Sequence, residues 1–156
     1  MNIAIADWIF DVDMDATQKH TTKNASDHCT CAYCRNYYET LGATYPDLLV
    51  FLSQFGINPH GPSELMPFTP TLMLSCYRIH GTIRNWGREG LSVSGIPILP
   101  EANEDGTFFL WVGELELPWV QDEDMDEVVS PANLPEFLLR MEEVWLRRHG
   151  EELLFS

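Results

Sequence analysis

A histidine and three cysteines that could bind a metal ion lie within seven consecutive positions. The segment reads HCTCAYC, and its candidate ligands are His28, Cys29, Cys31 and Cys34. Thiolate and imidazole are ligands that zinc prefers, and structural zinc sites arrange four such ligands in a tetrahedron. Because Cys31 and Cys34 are three residues apart, one helical turn would place both sulfurs on the same face. The spacing predicts a zinc site at the start of a helix.

Two residues outside this segment are further candidate ligands. His20 lies in the polar stretch before the cluster and could take the place of His28, while Cys76 could supply a thiolate from a distant part of the chain. Zinc motifs usually combine two separated ligand pairs, so a distant ligand would make the pattern more typical. With zinc as the cofactor, the predicted ligand set is His20, His28, Cys29, Cys31, Cys34 and Cys76.

The cysteines have two other interpretations, which the sequence leaves open. A reduced cysteine packs like a small hydrophobic residue, and Cys31 and Cys34 share a helical face with Tyr38 and Leu41, as core residues would. Alternatively, Cys31 and Cys34 form a C-x-x-C motif near a helix N-terminus, where the helix dipole lowers the pKa of a thiol and favours redox activity. Thioredoxin-like motifs belong to a βαβ unit, whereas a polar stretch precedes this one.

An aspartate stripe at the end of the first predicted strand indicates a different chemistry. Asp13 to Thr17 reads D-x-D-x-T after an apolar strand, which resembles the first motif of the haloacid-dehalogenase-like phosphatases. The resemblance implies a metal-dependent hydrolase with Asp13 as nucleophile and Asp15 as general acid. That family also has a doubly wound parallel sheet and a distant lysine, whereas Lys19 and Lys23 lie next to the motif. The wet face of a half-buried strand explains the same aspartates.

The charge of the chain restricts its partners. Its 156 residues include 24 acidic and 9 basic side chains, which give a net charge of -15. Nucleic acids and anionic membranes attract Lys and Arg, so we expect neither as a partner, but a protein with a basic surface would fit. The first ten residues lack the basic region of a signal peptide. We therefore expect a cytoplasmic protein, in which the cysteines are reduced.

Chain length and apolar patterns predict one α+β domain over residues 1–156. The predicted element order is βααβββα, with an antiparallel sheet of about four or more strands that is covered by a helical hairpin and a C-terminal helix. The predicted strands are 3–14, 72–83, 91–99 and 107–117, the predicted helices are 26–41, 44–56 and 133–149, and the predicted loops include 17–24 and 60–70.

These patterns also predict a core and a class of function. The expected core residues are large and apolar, and they are Trp8, Phe10, Leu48, Phe51, Leu52, Phe55, Phe109, Trp111, Phe137 and Met141. The sequence contains neither a nucleophile-elbow motif nor a phosphate-binding glycine loop. We therefore predict a small acidic, non-enzymatic binding domain with a zinc site near the first helix. The alternatives are a thiol oxidoreductase that uses Cys31 and Cys34, and a phosphatase-like hydrolase that uses Asp13 and Asp15.

Overall fold

The computed structural model describes residues 1–122. The predicted helix at 133–149 and the predicted core residues Phe137 and Met141 lie outside the described residues. Within residues 1–122, none of the helices has the length and apolar character that crossing a membrane requires. In chain order the elements are β1 (Asn2–Ile5), β2 (Trp8–Val12), α1 (Met14–Ser26), α2 (Ala32–Thr44), α3 (Pro46–Ser53), β3 (Glu64–Thr69), β4 (Leu72–Asn85), β5 (Leu91–Val93), β6 (Ile96–Ala102) and β7 (Thr107–Glu116).

The described strands form one antiparallel sheet of seven strands around β4. The strand order is β1-β2-β4-β7-β6-β5, with β3 paired to β4 beside this path. β4 pairs with β7 along residues 72–80, while its other edge is shared by β3, at residues 72–76, and by β2, at residues 81–85. The α+β class and the antiparallel sheet are confirmed. The described order is ββαααβββββ, so the predicted order βααβββα is wrong.

Two predicted strands are in fact hairpins. The region predicted as strand 3–14 contains β1 and β2, which reverse at a turn where Ala6 has φ 50°. The region 91–99 contains β5 and the start of β6, joined by Ser94 (φ 51°) and Gly95 (φ 80°), and a two-residue hairpin turn of this type requires positive φ at both positions. An alternating apolar pattern continues unchanged across a two-residue turn, so the sequence shows one strand where the structure has two.

The predicted loop at 60–70 is also wrong, because it contains β3. The loop was predicted from the four prolines and glycines of this segment, and one of them, Pro67, lies inside the strand. Among the described strands, β3 pairs with β4 alone. It is therefore an edge strand, where a missing backbone donor is tolerated.

The largest difference concerns α1, which contains the whole polar segment predicted as a loop at 17–24. Asp13 caps the helix by accepting the N–H of Ala16 at 3.0 Å. Thr17 and Thr21 are fully buried, and polar residues on the inward face conceal the amphipathic pattern that predicts a helix. As a consequence, the next helix does not begin at residue 26: α2 starts at Ala32, and residues 27–31 form the loop between the two helices.

Buried hydroxyl groups join α1 to the sheet. The Thr17 hydroxyl accepts the N–H of His80 in β4 at 3.0 Å and donates to the carbonyl of Asp13 at 2.8 Å. The Thr21 hydroxyl accepts the N–H of Asn58 at 2.9 Å and donates to the carbonyl of Thr17 at the same distance. Because a buried backbone donor without a partner is costly, these contacts hold α1 in place.

The apolar core lies between one face of the sheet and the helices. Seven of the predicted core residues are buried: Trp8, Phe10, Leu48, Phe51, Leu52, Phe55 and Trp111. Phe109 is only half-buried, against a smaller apolar cluster on the opposite face of the sheet. Trp111 also belongs to that second cluster and not to the main core, because side chains alternate between the two faces along β7.

A buried pair of tyrosines connects α2 to β4 through the core. The hydroxyls of Tyr37 and Tyr77 are 2.6 Å apart, and both side chains are fully buried. Tyr77 donates to the carbonyl of Pro59 at 2.6 Å, and Tyr37 contacts the Ser75 hydroxyl at 3.1 Å. Burial raises the pKa of Tyr37 to about 12, so the pair is neutral at physiological pH. This network fixes the position of α2, whose first turn carries Cys34.

Replacing Tyr37 by Phe should therefore lower the free energy of unfolding by about 1–3 kcal/mol, because buried hydroxyl groups lose a partner. Tyr45→Phe is the matched control, since the Tyr45 hydroxyl bonds the backbone of Glu116 at the surface, where substitutions usually change stability by less than about 0.5 kcal/mol. Urea denaturation of both variants measures the difference. Equal, small changes would contradict a stabilising role for the tyrosine pair.

His20 of α1 should make the fold sensitive to mild acid. Its ring lies 5.3 Å from the ring of His80. Burial lowers the pKa of His20, and the nearby positive charges of His80, Arg78 and Lys23 lower it further. The unfolded chain, with a histidine pKa of about 6.5, then binds the proton at a higher pH than the folded chain does. Stability must therefore fall as the pH drops below about 6.5 and through the lower folded pKa.

His20→Gln removes this titration. Its urea midpoint should therefore fall less than that of the unmodified chain when the pH is lowered from about 7.5 to about 5. Carboxyl groups that titrate near their usual values of about 4 contribute little in this range. Parallel pH profiles for the two proteins would show that the His20 environment does not affect stability.

Candidate metal site

The three clustered cysteines lie in the loop between α1 and α2 and in the first turn of α2. α1 ends at Ser26, and the N–H of Asp27 donates to the carbonyls of Lys23 and Asn24. Cys29 lies in the following loop, Cys31 is the N-cap residue of α2, and Cys34 lies in its first turn. A short loop followed at once by a helical turn brings residues at spacings of two and three onto one side of the chain.

Their sulfur atoms converge. The Sγ atoms of Cys29, Cys31 and Cys34 all lie within 4.8 Å of one another. Zinc–sulfur bonds of about 2.3 Å in a tetrahedron separate the ligand atoms by about 3.8 Å. Small side-chain rotations would bring the three sulfurs to that separation, so the cluster can hold a metal ion. Within residues 1–122, it is the one group of three or more His, Cys, Asp or Glu side chains arranged in this way.

The three thiols differ in their electrostatic surroundings. The Sγ atom of Cys29 accepts the N–H of Cys31 at 3.3 Å, and this hydrogen bond, together with the Cys31 side chain, lowers the pKa of Cys29. Burial raises the pKa of Cys34 well above its usual value, and the neighbouring sulfurs of Cys31 and Cys29 raise it further. Cys34 therefore keeps its proton at neutral pH until a cation binds beside it and favours the thiolate.

A cavity of about 350 Å³ lies against two of the thiols, those of Cys29 and Cys34. Asp27, Tyr38 and Glu64 also line it. Its walls thus come from the end of α1, the first turns of α2 and the start of β3. The sequence analysis did not assign Asp27 or Glu64 to the site, and it placed Tyr38 only on the helical face of Cys31 and Cys34. Asp27 is close to the cysteines in sequence, whereas Glu64 of β3 approaches them only in the folded chain.

His28 borders the same cavity. Its Nδ1 atom is 2.9 Å from the carbonyl oxygen of Cys29, and its ring lies 4.3 Å from the ring of Tyr38. If Nδ1 carries the proton and donates to this carbonyl, the lone pair is on Nε2. The imidazole nitrogens lie outside the group of atoms that are mutually within 4.8 Å, so His28 is a neighbour of the thiol cluster in this arrangement.

The two remaining candidate ligands lie elsewhere. His20 is on α1, with its ring against His80. Cys76 is 1% exposed and belongs to the second apolar cluster, with Trp111. Its neighbours Ser75 and Tyr77 contact Tyr37 of α2, and side chains alternate along a strand, so Cys76 points away from that helix. Cys76 packs in the core. The core-packing interpretation of Cys31 is wrong, because Cys31 is exposed like Cys29, and Cys34 is only half-buried.

The aspartates of the phosphatase-like motif have structural surroundings of a different kind. Asp13 is the N-cap of α1, and Asp15 lies in the first helical turn, where its negative charge interacts favourably with the positive end of the helix dipole. Asp11, which precedes them, pairs with Arg84 at 3.1 Å and with the chain N-terminus at 3.4 Å. All strand pairs of the described sheet are antiparallel, so residues 1–122 lack the parallel sheet that the resemblance implies.

Comparisons with known proteins identify no similar protein. No protein-family model matches the chain, and no curated protein and no solved structure matches it either.

Proposed function

We propose that this chain is a small metal-binding domain in which Cys29, Cys31 and Cys34 hold a zinc ion. The observation that carries the proposal is the convergence of three sulfur atoms within 4.8 Å. Thiolates select soft or borderline metals, and zinc is the commonest such ion in closed protein sites. Two of the thiols are exposed, so an ion can reach them without opening the core.

His28 is the fourth ligand in this proposal. A histidine that binds a metal through one ring nitrogen almost always donates its other N–H to a carbonyl or carboxylate, which fixes the tautomer and the orientation of the ring. The contact between Nδ1 of His28 and the carbonyl of Cys29 matches that arrangement. Because His28 is adjacent to Cys29 in the exposed loop at 27–31, a change in loop conformation can bring Nε2 to the ion.

The ion orders a surface loop and is not required for the core. α1 is held by the buried hydroxyls of Thr17 and Thr21. α2 is held by Tyr37 and by the buried side chain of Asn36, which bonds the backbone of Pro118 and Val120 at 3.0 and 2.9 Å. None of these contacts involves the cysteines. The loop at 27–31 connects two helices that are anchored independently of it, so we expect the metal-free chain to fold.

A non-enzymatic binding role fits this arrangement best. Four protein ligands leave no coordination position for a substrate, as in structural zinc sites. The net charge of -15 favours a protein partner with a basic surface. A reducing compartment such as the cytoplasm would keep the thiols available for metal. In this proposal the ion sets the conformation of a loop that is presented to a partner.

Protein purified with a reducing agent and loaded with zinc should retain one zinc ion per chain after dialysis, as measured by elemental analysis. Cys29→Ser, Cys31→Ser and Cys34→Ser should each lose the ion, and His28→Gln should bind it more weakly. Cys76→Ala is the matched control, because Cys76 lies on the opposite face of β4, and it should retain zinc. A wild-type chain that releases all its zinc on dialysis would contradict the proposal.

Zinc should stabilise the folded chain only when the cluster is intact. At a free zinc concentration of 100 times Kd, binding adds about 2.7 kcal/mol to the free energy of unfolding. Urea denaturation with and without zinc should show this gain for the wild type and none for Cys34→Ser. Both metal-free proteins should unfold cooperatively. A metal-free chain without a folded baseline would instead show that the ion holds the core together.

Zinc affinity should fall steeply as the pH is lowered. Binding needs all three thiolates, and the raised pKa of Cys34 means that this thiol releases its proton when the ion binds. Each proton released contributes about one unit to the slope of log K against pH, so we expect a slope of about two or more between pH 6 and pH 8. Competition with a chromophoric chelator measures it. A flat profile would indicate ligands other than thiols.

A further inference from the structure

We propose that Cys29 and Cys34 also form a peroxide-reactive pair: a hydroperoxide oxidises them to a disulfide, and in the metal-loaded chain this releases the ion. The release of metal rests on the proposed function, whereas the reaction of the thiols does not. The inference starts from the cavity and from the separation of the sulfur atoms.

The cavity selects this pair among the three thiols. It is lined by Cys29 and Cys34 and has room, at about 350 Å³, for a small hydroperoxide beside both sulfurs. Cys29 is exposed, and its sulfur accepts the N–H of Cys31 at the start of α2. A backbone donor at a helix N-terminus stabilises a thiolate, which is the form that attacks a peroxide. Cys34 is half-buried behind it, in position to react second.

The fold can accommodate the new bond. Sulfur atoms within 4.8 Å must approach to about 2.05 Å to form a disulfide, a movement that the side chains and the exposed loop at 27–31 can share. The helices on either side need not move, because Thr17, Thr21, Asn36 and Tyr37 hold them from the core. Oxidation should therefore change the loop and the start of α2 while the rest of the fold remains.

The reaction balances with the hydroperoxide as the oxidant. The Cys29 thiolate attacks one peroxide oxygen, the O–O bond breaks, and a sulfenic acid forms on Cys29 while hydroxide leaves and takes up a proton. The sulfur of Cys34 then attacks the sulfur of Cys29, the S–S bond forms, and the sulfenic hydroxyl leaves as water with the Cys34 proton. Two thiols lose two electrons, and one hydrogen peroxide becomes two waters. The ion loses two of its ligands in the same reaction.

Hydrogen peroxide titration of the metal-free full chain tests the thiol reaction, with thiols counted after denaturation and bonds located by tandem mass spectrometry. We expect two of the four cysteines to be lost in the wild type, with Cys29 linked to Cys34. Cys31→Ser should form the same bond. Cys34→Ser should stop at a sulfenic acid on Cys29 that dimedone traps, and Cys29→Ser should form no disulfide. Buried Cys76 is an internal control and should remain a thiol.

Three results would overturn the inference: a wild type that keeps all its thiols, a disulfide in Cys29→Ser, or loss of the reaction in Cys31→Ser. The zinc-loaded chain separates the two proposals. Peroxide should release one zinc per chain to a chromophoric chelator, and a thiol reductant with added zinc should restore it. Zinc that stays bound to thiols that resist peroxide contradicts the redox inference alone. A disulfide in a chain that never binds zinc contradicts the metal proposal alone.

Discussion

The structure depends on pairing the backbone of one long strand, β4, along both of its edges. β7 covers one edge, but the other is divided between β3 and β2, which leave residues near His80 between them. The Thr17 hydroxyl accepts the His80 N–H, and the N–H of Asp13 donates to the His80 carbonyl at 2.8 Å. α1 and the residue that caps it therefore complete the pairing of β4. A buried strand edge without these partners would carry unsatisfied polar groups, which folded proteins avoid.

The close approach of β2 to β4 adds a second constraint at the same place. Gly81 in β4 has φ 150°, and a Cβ atom there would collide with the carbonyl oxygen of Asp11 in β2. Gly56 and Gly61 have the same relation to α1, since a Cβ atom on either would meet the backbone of Met14 or Thr21. Gly81 thus lets β4 approach β2 closely, and Gly56 and Gly61 let the loop before β3 approach α1. With α1 fixed, its C-terminal end determines where the cysteine loop begins.

The position of that loop explains why it can carry reactive groups. Its cysteines lie at the end of one anchored helix and the start of another, outside the two apolar clusters of the described residues. The buried hydroxyl and amide hydrogen bonds that hold the helices in place do not involve them. In the two proposals, protons, a metal ion and an oxidant compete for the same sulfur atoms, and each one excludes the others from those atoms. Chemistry at the loop can change without unfolding the protein, because the stability of the fold comes from elsewhere.

The strongly apolar elements were predictable because burial alone decides them. β7 and β4 were located to within two residues of their observed ends, and α3 was predicted around its true apolar residues Leu48, Phe51 and Leu52. Elements with polar inward faces were not predictable: Thr17 and Thr21 of α1 are buried by hydrogen bonds to distant backbone, which no local pattern records. The two tight turns were not predicted for a related reason. The alternation of apolar and polar residues continues unchanged across a two-residue turn, so the sequence pattern does not mark the turn.

The sequence by itself determined that three cysteines lie close together, because spacings of two and three residues bring sulfurs together over one turn of chain. Only the tertiary structure decided which other candidates accompany them. It separates Cys76 from the cluster, since a shift of one position along β4 reverses the face to which a side chain points. It turns His20 toward His80 and brings Glu64 of β3 to the cavity beside Cys34. Those placements depend on contacts between residues far apart in the chain, which exist only when the sheet and the helices have packed.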